Sequence, residues 1–326
     1  MRDRFGRRID YLRISVTDKC NLRCVYCMPV EGLPWIPKEE LLSDDEIVAV
    51  ARQFAALGTE RLRITGGEPT VRPRLPELVA RLRAIPGITD LALSTNAVLL
   101  PSLACALRRA GLGRVNVSLD TLREDRFERI ARRPARLFRQ ILDGIAAAED
   151  AGFDPIKINV VVMRGINDDE LVDFAEITRE RPWHVRFIEV MPVGENLELA
   201  DAFISSDEML DRVRVIGALE PVPGPTGNGP ARYYAFPDAP GTVGVITPMT
   251  HNYCMRCNRV RLLADGRLRT CLFGEHHVDL RTPLRAGEPL EPHIRRALAE
   301  KPERHYLQMG SDAGSGGLLA LSQTGG

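Results

Sequence analysis

Short apolar runs alternate with longer amphipathic stretches over the first two-thirds of the chain. The runs at 12–16, 61–65, 91–94, 115–119, 156–162 and 185–190 are rich in Val, Ile and Leu and read as strands. The stretches between them carry apolar residues at helical spacing. One begins at Ser43, where Glu46 three residues on completes a capping box, and stops at Gly58. Another follows Pro76 as a first-turn proline. Others run through 103–110, 138–151 and 169–180, with Gly111 and Gly152 just past two of the ends. Six successive β–α units predict a parallel sheet with right-handed crossovers. Eight would close a full barrel, so six leave an open doubly wound sheet or an incomplete barrel.

The pattern breaks after Met191. Residues 192–250 hold Pro, Gly and short strand-like pieces such as 243–246, and the Pro- and Gly-rich stretch 221–230 reads as a loop. The expected division is a β–α region over 1–191, an appended segment over 192–309, and a Gly- and Ser-rich tail over 310–326, expected to be mobile.

Composition narrows the classes. The 326 residues are 44% hydrophobic, enough to bury a full core, which excludes wholesale disorder. With 44 basic and 44 acidic side chains the net charge is zero, which speaks against a nucleic-acid or membrane surface as partner. No apolar run approaches the ~18 residues of a membrane span. The first ten residues carry no apolar signal segment, so a soluble, cytoplasmic protein is expected. Seven cysteines, an odd number, do not suit a disulfide framework. Six of them fall in two groups of three: Cys20, Cys24 and Cys27, then Cys254, Cys257 and Cys271. The seventh, Cys105, lies in a helical run and is read as a small buried hydrophobe.

Cys20-x-x-x-Cys24-x-x-Cys27 directly follows the first strand. A cubane [4Fe–4S] cluster usually takes four thiolates, so three in one loop leave one iron open to a small molecule. The alternative is zinc held by Cys24 and Cys27 with a distant pair such as Cys254 and Cys257, which leaves Cys20 and Cys271 unexplained. Together with Tyr26 before the last cysteine, and with Gly66-Gly67-Glu68-Pro69 after the second strand, this spacing resembles the radical S-adenosylmethionine (SAM) enzymes. That resemblance implies a partial (β/α)6 barrel. It also implies an open iron that chelates the amino and carboxylate groups of SAM, and one-electron cleavage that releases a 5′-deoxyadenosyl radical.

Cys254, Cys257 and Cys271 again number three. Zinc with His276 or His277 as fourth ligand is one reading. However, Cys257 is followed by Asn258-Arg259-Val260-Arg261, whose two arginines point the same way from an extended segment, and structural zinc has no need of them. From Arg13 to about Cys271 the chain is similar to the GTP 3′,8-cyclase family of molybdenum-cofactor synthesis. The similarity includes Ile64-Thr-Gly-Gly-Glu-Pro69, Val117-Ser-Leu-Asp120, Gly165-Ile-Asn-Asp168 and Arg186-Phe-Ile-Glu-Val-Met191, and it ends in Cys254-x-x-Cys257-x-Arg259-x-Arg261. The resemblance implies a second [4Fe–4S] cluster on Cys254, Cys257 and Cys271 whose open iron contacts guanine. It implies hydrogen abstraction from ribose C3′ and attack of that carbon on guanine C8. By matching position, Tyr26, Gly67, Ser118 and Met191 would hold SAM. Arg13, Arg63, Ser94, Lys157, Arg186, Arg259 and Arg261 would hold GTP, with Arg259 and Arg261 joining Cys20, Cys24 and Cys27 in catalysis. The implied partners are a low-potential electron donor, a second copy in a homodimer, and a downstream cyclic pyranopterin monophosphate synthase.

The residues make physical sense for such a substrate. A triphosphate carries about four negative charges and needs several convergent cations. Arg13, Arg63, Lys157 and Arg186 lie inside short apolar runs, where an unpaired charge is costly to bury unless it meets an anion. No acid–base pair is required, because the cofactor carries the hard step, and Glu68 and Asp120 are read as orienting groups. The chain departs from the family in two places. Ser94-Thr-Asn-Ala97 replaces the usual Thr-Thr-Asn-Gly, so Ala97 must avoid positive φ or accept strain. The terminal Gly325-Gly326, which the family brings beside the arginines, follows an unusual segment. A peptide-modifying two-cluster enzyme and a zinc-stabilised binding module are the rival readings.

Overall fold

The computed structural model describes residues 1–191, 197–227, 229–305 and 320–324. Six parallel strands pair in chain order: β1 (Tyr11–Ser15), β2 (Arg61–Thr65), β3 (Asp90–Thr95), β4 (Arg114–Ser118), β5 (Ile156–Val162) and β6 (Trp183–Glu189). Helices α1 (Asp44–Ala56), α2 (Leu75–Arg83), α3 (Leu100–Arg109), α4 (Glu124–Ala131), α5 (Arg136–Asp150) and α6 (Leu171–Glu180) make the crossovers. The capping box at the start of α1 forms as predicted: Glu46 N donates to Ser43 Oγ, and Ser43 N donates to Glu46 Oε2 at 2.8 Å. Helix α4 was not foreseen, because Arg and Glu dominate it and only Phe127, Ile130 and Ala131 face the core.

Alternation along each strand separates two faces. Leu12, Ile14, Leu62, Ile64, Leu93, Val115, Val117, Ile158 and Val185 are fully buried in the core. The other face is polar, and strand register assembles it. Arg13 lies opposite both Arg63 and Arg261, and Tyr11 opposite Arg259. Ser94 pairs with Asn116, Asn116 with Lys157, and Asn159 with Arg186.

The appended segment does not form a separate layer; it extends the same sheet at both edges. After α7 (Ser206–Val213) come β7 (Glu220–Val222), β8 (Arg232–Ala235) and β9 (Thr242–Ile246). Strand β9 joins β6 in parallel, and β8 and β7 follow antiparallel. The chain then crosses to the far edge, where β10 (Arg259–Leu262) joins β1 in parallel, followed by antiparallel β11 (Arg267–Arg269) and β12 (His277–Asp279). The strand order β12-β11-β10-β1-β2-β3-β4-β5-β6-β9-β8-β7 is that of an open, incomplete barrel. Helices α8 (Arg281–Arg285), α9 (Glu291–Ala299) and α10 (Leu321–Thr324) complete the described chain.

The N-terminal segment staples this extension down. Buried Arg7, held by Asp3, donates to the carbonyls of Cys254 (2.9 Å), Pro302 (2.6 Å) and Glu303 (2.7 Å). Asn258 Nδ2 donates to Asp10 Oδ1 at 2.7 Å. Among the described residues no helix is long and apolar enough to cross a membrane. Cys105 is exposed, against expectation: α3 turns Ala104 and Leu107 inward, and Cys105 falls on the solvent side.

Candidate active site

The loop leaving β1 brings Cys20, Cys24 and Cys27 onto a cavity of about 270 Å³ inside the open barrel. Gly66 and Gly67, just past β2, let that loop pack close. A Cβ on Gly66 would lie 2.5 Å from the Thr17 carbonyl oxygen, and one on Gly67 would strike the Lys19 carbonyl. Both glycines therefore serve the cysteine loop itself, in addition to opening on the cavity. Cys24-Val-Tyr-Cys27 closes as a turn, with Cys27 N donating to the Cys24 carbonyl at 2.9 Å. Leu22 N points at Cys20 Sγ, 3.4 Å away.

Burial, with smaller help from Glu68, pushes the Cys20 thiol up to about 11. Burial, then Asp120, raises Cys24 well above the usual thiol range, and burial pushes Cys27 up to about 12. Such thiols ionise when a metal supplies the countercharge. Among the described residues no three Cys, His, Asp or Glu side chains converge as they would round a single ion. Three buried thiols from one loop suit three corners of a cubane, whereas zinc would want a fourth ligand.

Two buried carboxylates flank this triad. Glu68 accepts from Thr70 N (3.0 Å), Thr95 Oγ1 (2.7 Å) and Asn96 N (2.7 Å), which ties the glycine motif to the end of β3. Burial raises its carboxyl despite those bonds. Asp120, past β4, accepts from Tyr26 Oη (2.7 Å) and Val161 N (2.9 Å), and burial lifts it to about 6. Both have their lone pairs committed to neighbours, as orienting groups would. Tyr26, Gly67, Ser118 and Met191 all line the cavity.

The cavity is also cationic: Arg13, Arg63, Arg186, Arg259 and Arg261 line it, together with Ser94. Arg63 donates to Tyr11 Oη and to Ser94 Oγ (3.1 Å). Burial, then Arg261 and Arg63, drives Arg13 well below the ordinary guanidinium range; burial, then Arg259, brings Arg261 to about 10. Burial would raise the Tyr11 phenol, yet Arg63, Arg13 and Arg259 bring it below its ordinary value. Among the described residues Arg63, Arg186 and Arg259 have no carboxylate ion pair. So much uncompensated positive charge in one cavity calls for an anion.

Lys157 stands apart. It is on the polar face of β5, but its ammonium donates to the Thr226 carbonyl at 2.5 Å and does not line the cavity. Burial, then Arg186 and Arg114, lowers it to about 6.

A second cavity of about 50 Å³ adjoins the first and is lined by Cys254, Cys257 and Cys271. The two share Pro248, Tyr253, Arg259, Arg261 and Leu272 as a common wall. The turn at Cys254-Met-Arg-Cys257 repeats the first, with Cys257 N donating to the Cys254 carbonyl at 3.0 Å. Burial raises Cys254. Burial would also raise Cys257, but Lys301 and Arg259 bring it below the ordinary thiol value. Neither histidine of the zinc alternative lines this cavity. His276 pairs with Glu300, and His277 is exposed on β12. His305 does line it, packed on Phe273 with Nε2 against the Pro248 carbonyl at 2.9 Å.

Several of these residues were not singled out from sequence. Tyr11 and Asn159 sit two positions from Arg13 and Lys157 on the same strand faces, so alternation carried the signal. Tyr253, Lys301 and His305 gave none, because only tertiary pairing of β10 with β1 brings them in. Leu321 and Ser322 of α10 also line the cavity, and the Thr324 carbonyl accepts from Arg261 Nη1 at 3.3 Å. Gly325 and Gly326, like residues 310–319 of the tail, lie outside the described residues. Ala97 takes the strained option, φ +65°. Its carbonyl lies so close to α5 that only glycine fits at position 144.

Residues 14–177 match the radical SAM superfamily, and residues 183–307 match the family described as Molybdenum Cofactor Synthesis C. Over 315 residues the chain is 50% identical to the GTP 3′,8-cyclase of Pelotomaculum thermopropionicum, covering 95% of this chain and 96% of that one. It is 47% identical to those of Moorella thermoacetica (95% and 96% covered) and Geobacter sulfurreducens (94% and 94%). Among solved structures, Streptococcus suis SuiB bound to S-adenosylmethionine superposes with a TM-score of 0.59 at 14% identity, covering 88% of this chain and 68% of that chain. That likeness shows the fold, an incomplete barrel of the radical SAM type.

Proposed function

Since this chain belongs to the GTP 3′,8-cyclase family of radical SAM enzymes, we propose that its cavity holds SAM at the acidic wall and GTP at the basic one. The enzyme converts GTP to (8S)-3′,8-cyclo-7,8-dihydroguanosine 5′-triphosphate in molybdopterin cofactor biosynthesis. A [4Fe–4S] cluster held there would supply one-electron cleavage of SAM to a 5′-deoxyadenosyl radical, the means by which the ribose C3′ hydrogen would be taken before C3′ joins guanine C8.

Cys20, Cys24 and Cys27 would ligate that cluster. SAM carries a sulfonium and an ammonium, and buried Glu68 and Asp120 set a favourable field for a cation there. Tyr26, held by Asp120, would position SAM together with Gly67, Ser118 and Met191. Arg13, Arg63, Arg186, Arg259 and Arg261, with Ser94, would grip the triphosphate and ribose. Lys157 would join them by exchanging the Thr226 carbonyl for a phosphate oxygen. Holding C3′ against the 5′-carbon inside the cavity would supply orientation, and the bound ligands would displace water.

Cys254, Cys257 and Cys271 would carry a second [4Fe–4S] cluster, which would supply an iron able to bind the guanine of the substrate. We place the catalytic barrel at 1–191 and the extension at 192–309, with Gly325 and Gly326 beside the arginines. The full setting would be a cytoplasmic homodimer served by a low-potential electron donor and followed by cyclic pyranopterin monophosphate synthase.

The observation that carries this proposal is one cavity lined by both three thiols and five arginines. Anaerobic incubation of the reconstituted protein with SAM, reductant and each nucleoside triphosphate in turn tests it. The expected result is 5′-deoxyadenosine formation that depends on GTP, with label transferred from C3′. Equal SAM cleavage with ATP, or label from another ribose carbon, would overturn it.

A further inference from the structure

One buried cation has no part in the roles above. Lys301, just past α9, is 2% exposed. An ammonium has three N–H bonds, and this one aims them at the Cys257 sulfur (3.5 Å), the Arg259 carbonyl (3.2 Å) and the Thr270 carbonyl. Among the described residues no carboxylate pairs with it. A buried charge met only by neutral carbonyls is expensive, unless an anion stands beside it. Three thiolates outweigh the positive charge of a cubane core and would supply that anion.

The placement is specific. Arg259 lies two residues after Cys257, and Thr270 directly before Cys271, so Lys301 joins both segments that bring the second triad together. The residues next to it are fixed in turn, since Arg7 holds the Pro302 and Glu303 carbonyls along with that of Cys254. Among the described residues no cation donates to a sulfur of the first triad. Its donors are neutral: the Leu22 N–H and, at 4.0 Å, the Asn96 amide on Cys20, Tyr26 on Cys24 and Ser322 on Cys27, while Arg23 and Arg133 act on Cys20 only through space. Hydrogen bonds to the sulfurs and nearby charge set the reduction potential of such centres.

We propose that Lys301 is a positioning residue of the second centre. Its ammonium donates to the Cys257 sulfur and neutralises charge there, holding that centre at a higher reduction potential than three thiolates alone would give. The first centre is untouched. This rests on the reading that Cys254, Cys257 and Cys271 hold a cluster.

The test is an anaerobic redox titration followed by EPR, with iron and sulfide measured alongside. Each cluster is observed by itself, in backgrounds where the other three cysteines are alanine. Lys301→Met should keep iron at the second triad and shift that cluster's midpoint potential downward. Lys301→Arg should return it towards wild type, and the first cluster's potential should not move. An unchanged or raised potential in Lys301→Met, or an equal shift of both clusters, would overturn the inference alone. Should Lys301→Met lose the second cluster, Lys301→Gln, which keeps N–H donors without charge, is read in its place with the same two outcomes. Zinc, or no metal, at the second triad of the wild type overturns this inference and the second-cluster reading together.

Discussion

The two cysteine triads share one backbone device and differ in everything around it. In each, a Cys-x-x-Cys segment closes on itself through the last cysteine's N–H, at 2.9 and 3.0 Å. Around the first, burial, with Glu68 and Asp120 as smaller causes, drives the Cys20 and Cys24 thiols upward. Around the second, burial still raises Cys254, but Lys301 and Arg259 bring Cys257 below its ordinary value. The turn fixes where the sulfurs point, while the sign of neighbouring charge decides what each centre can hold nearby. A cationic sulfonium suits the first, and a polyanionic nucleotide the second. The contrast arises from strand order, since β10 carries Arg259 and Arg261 to the β1 edge, whereas the carboxylates follow β2 and β4.

The largest expected effect tests whether the triads are separate. Cys24→Ala should abolish reductive SAM cleavage while the second triad keeps its iron, read by 5′-deoxyadenosine yield and iron content. Undiminished 5′-deoxyadenosine would remove the division of labour. Next comes the basic wall. Arg259→Ala or Arg261→Ala should leave iron at both triads and raise the KM for GTP roughly ten- to hundredfold, the value of a lost charge-assisted hydrogen bond of about 1.5–3 kcal/mol. Iron loss with normal GTP binding would mean the arginines serve the fold instead.

The smallest effect probes the acidic wall. Asp120 has a folded value of about 6, above its ordinary 3.8. The stability it contributes is therefore full below pH 3.8 and lost as pH rises through 6, by up to about 3 kcal/mol. Asp120→Asn keeps an acceptor for Val161 N and has no charge to bury. Its advantage over wild type in denaturant unfolding should grow between pH 4 and pH 7. A constant gap across that range would show that burial does not strain this carboxylate.

Much of the barrel was legible because alternation within each strand is a local property. Leu12 and Ile14 against Tyr11 and Arg13 already assign core and cavity faces, and the cation rows follow once parallel order is known. What could not be read depends on distant pairing. Nothing near Val260 announces that β10 will lie beside β1, so the place of the appended segment in the sheet, and that of Lys301 behind it, carried no local signal. Ala97 was legible as a dilemma but not as an answer. Its left-handed backbone, a strain of roughly 1–2 kcal/mol, is kept because the Glu68–Thr95–Asn96 bonds on one side and Gly144 on the other leave the chain no other path. Lys157 lies on the strand face read for it, with its ammonium on the Thr226 carbonyl.

The sheet's order also has a consequence for synthesis on the ribosome. Strand β1 is translated first among the strands, yet its free edge is covered only by β10, some 250 residues later. Until then a nascent chain with β1–β6 assembled exposes a bare strand at each margin, a template for joining another chain. Release of the last third is thus the moment of protection, and a polypeptide that stops short of Arg259 is left adhesive.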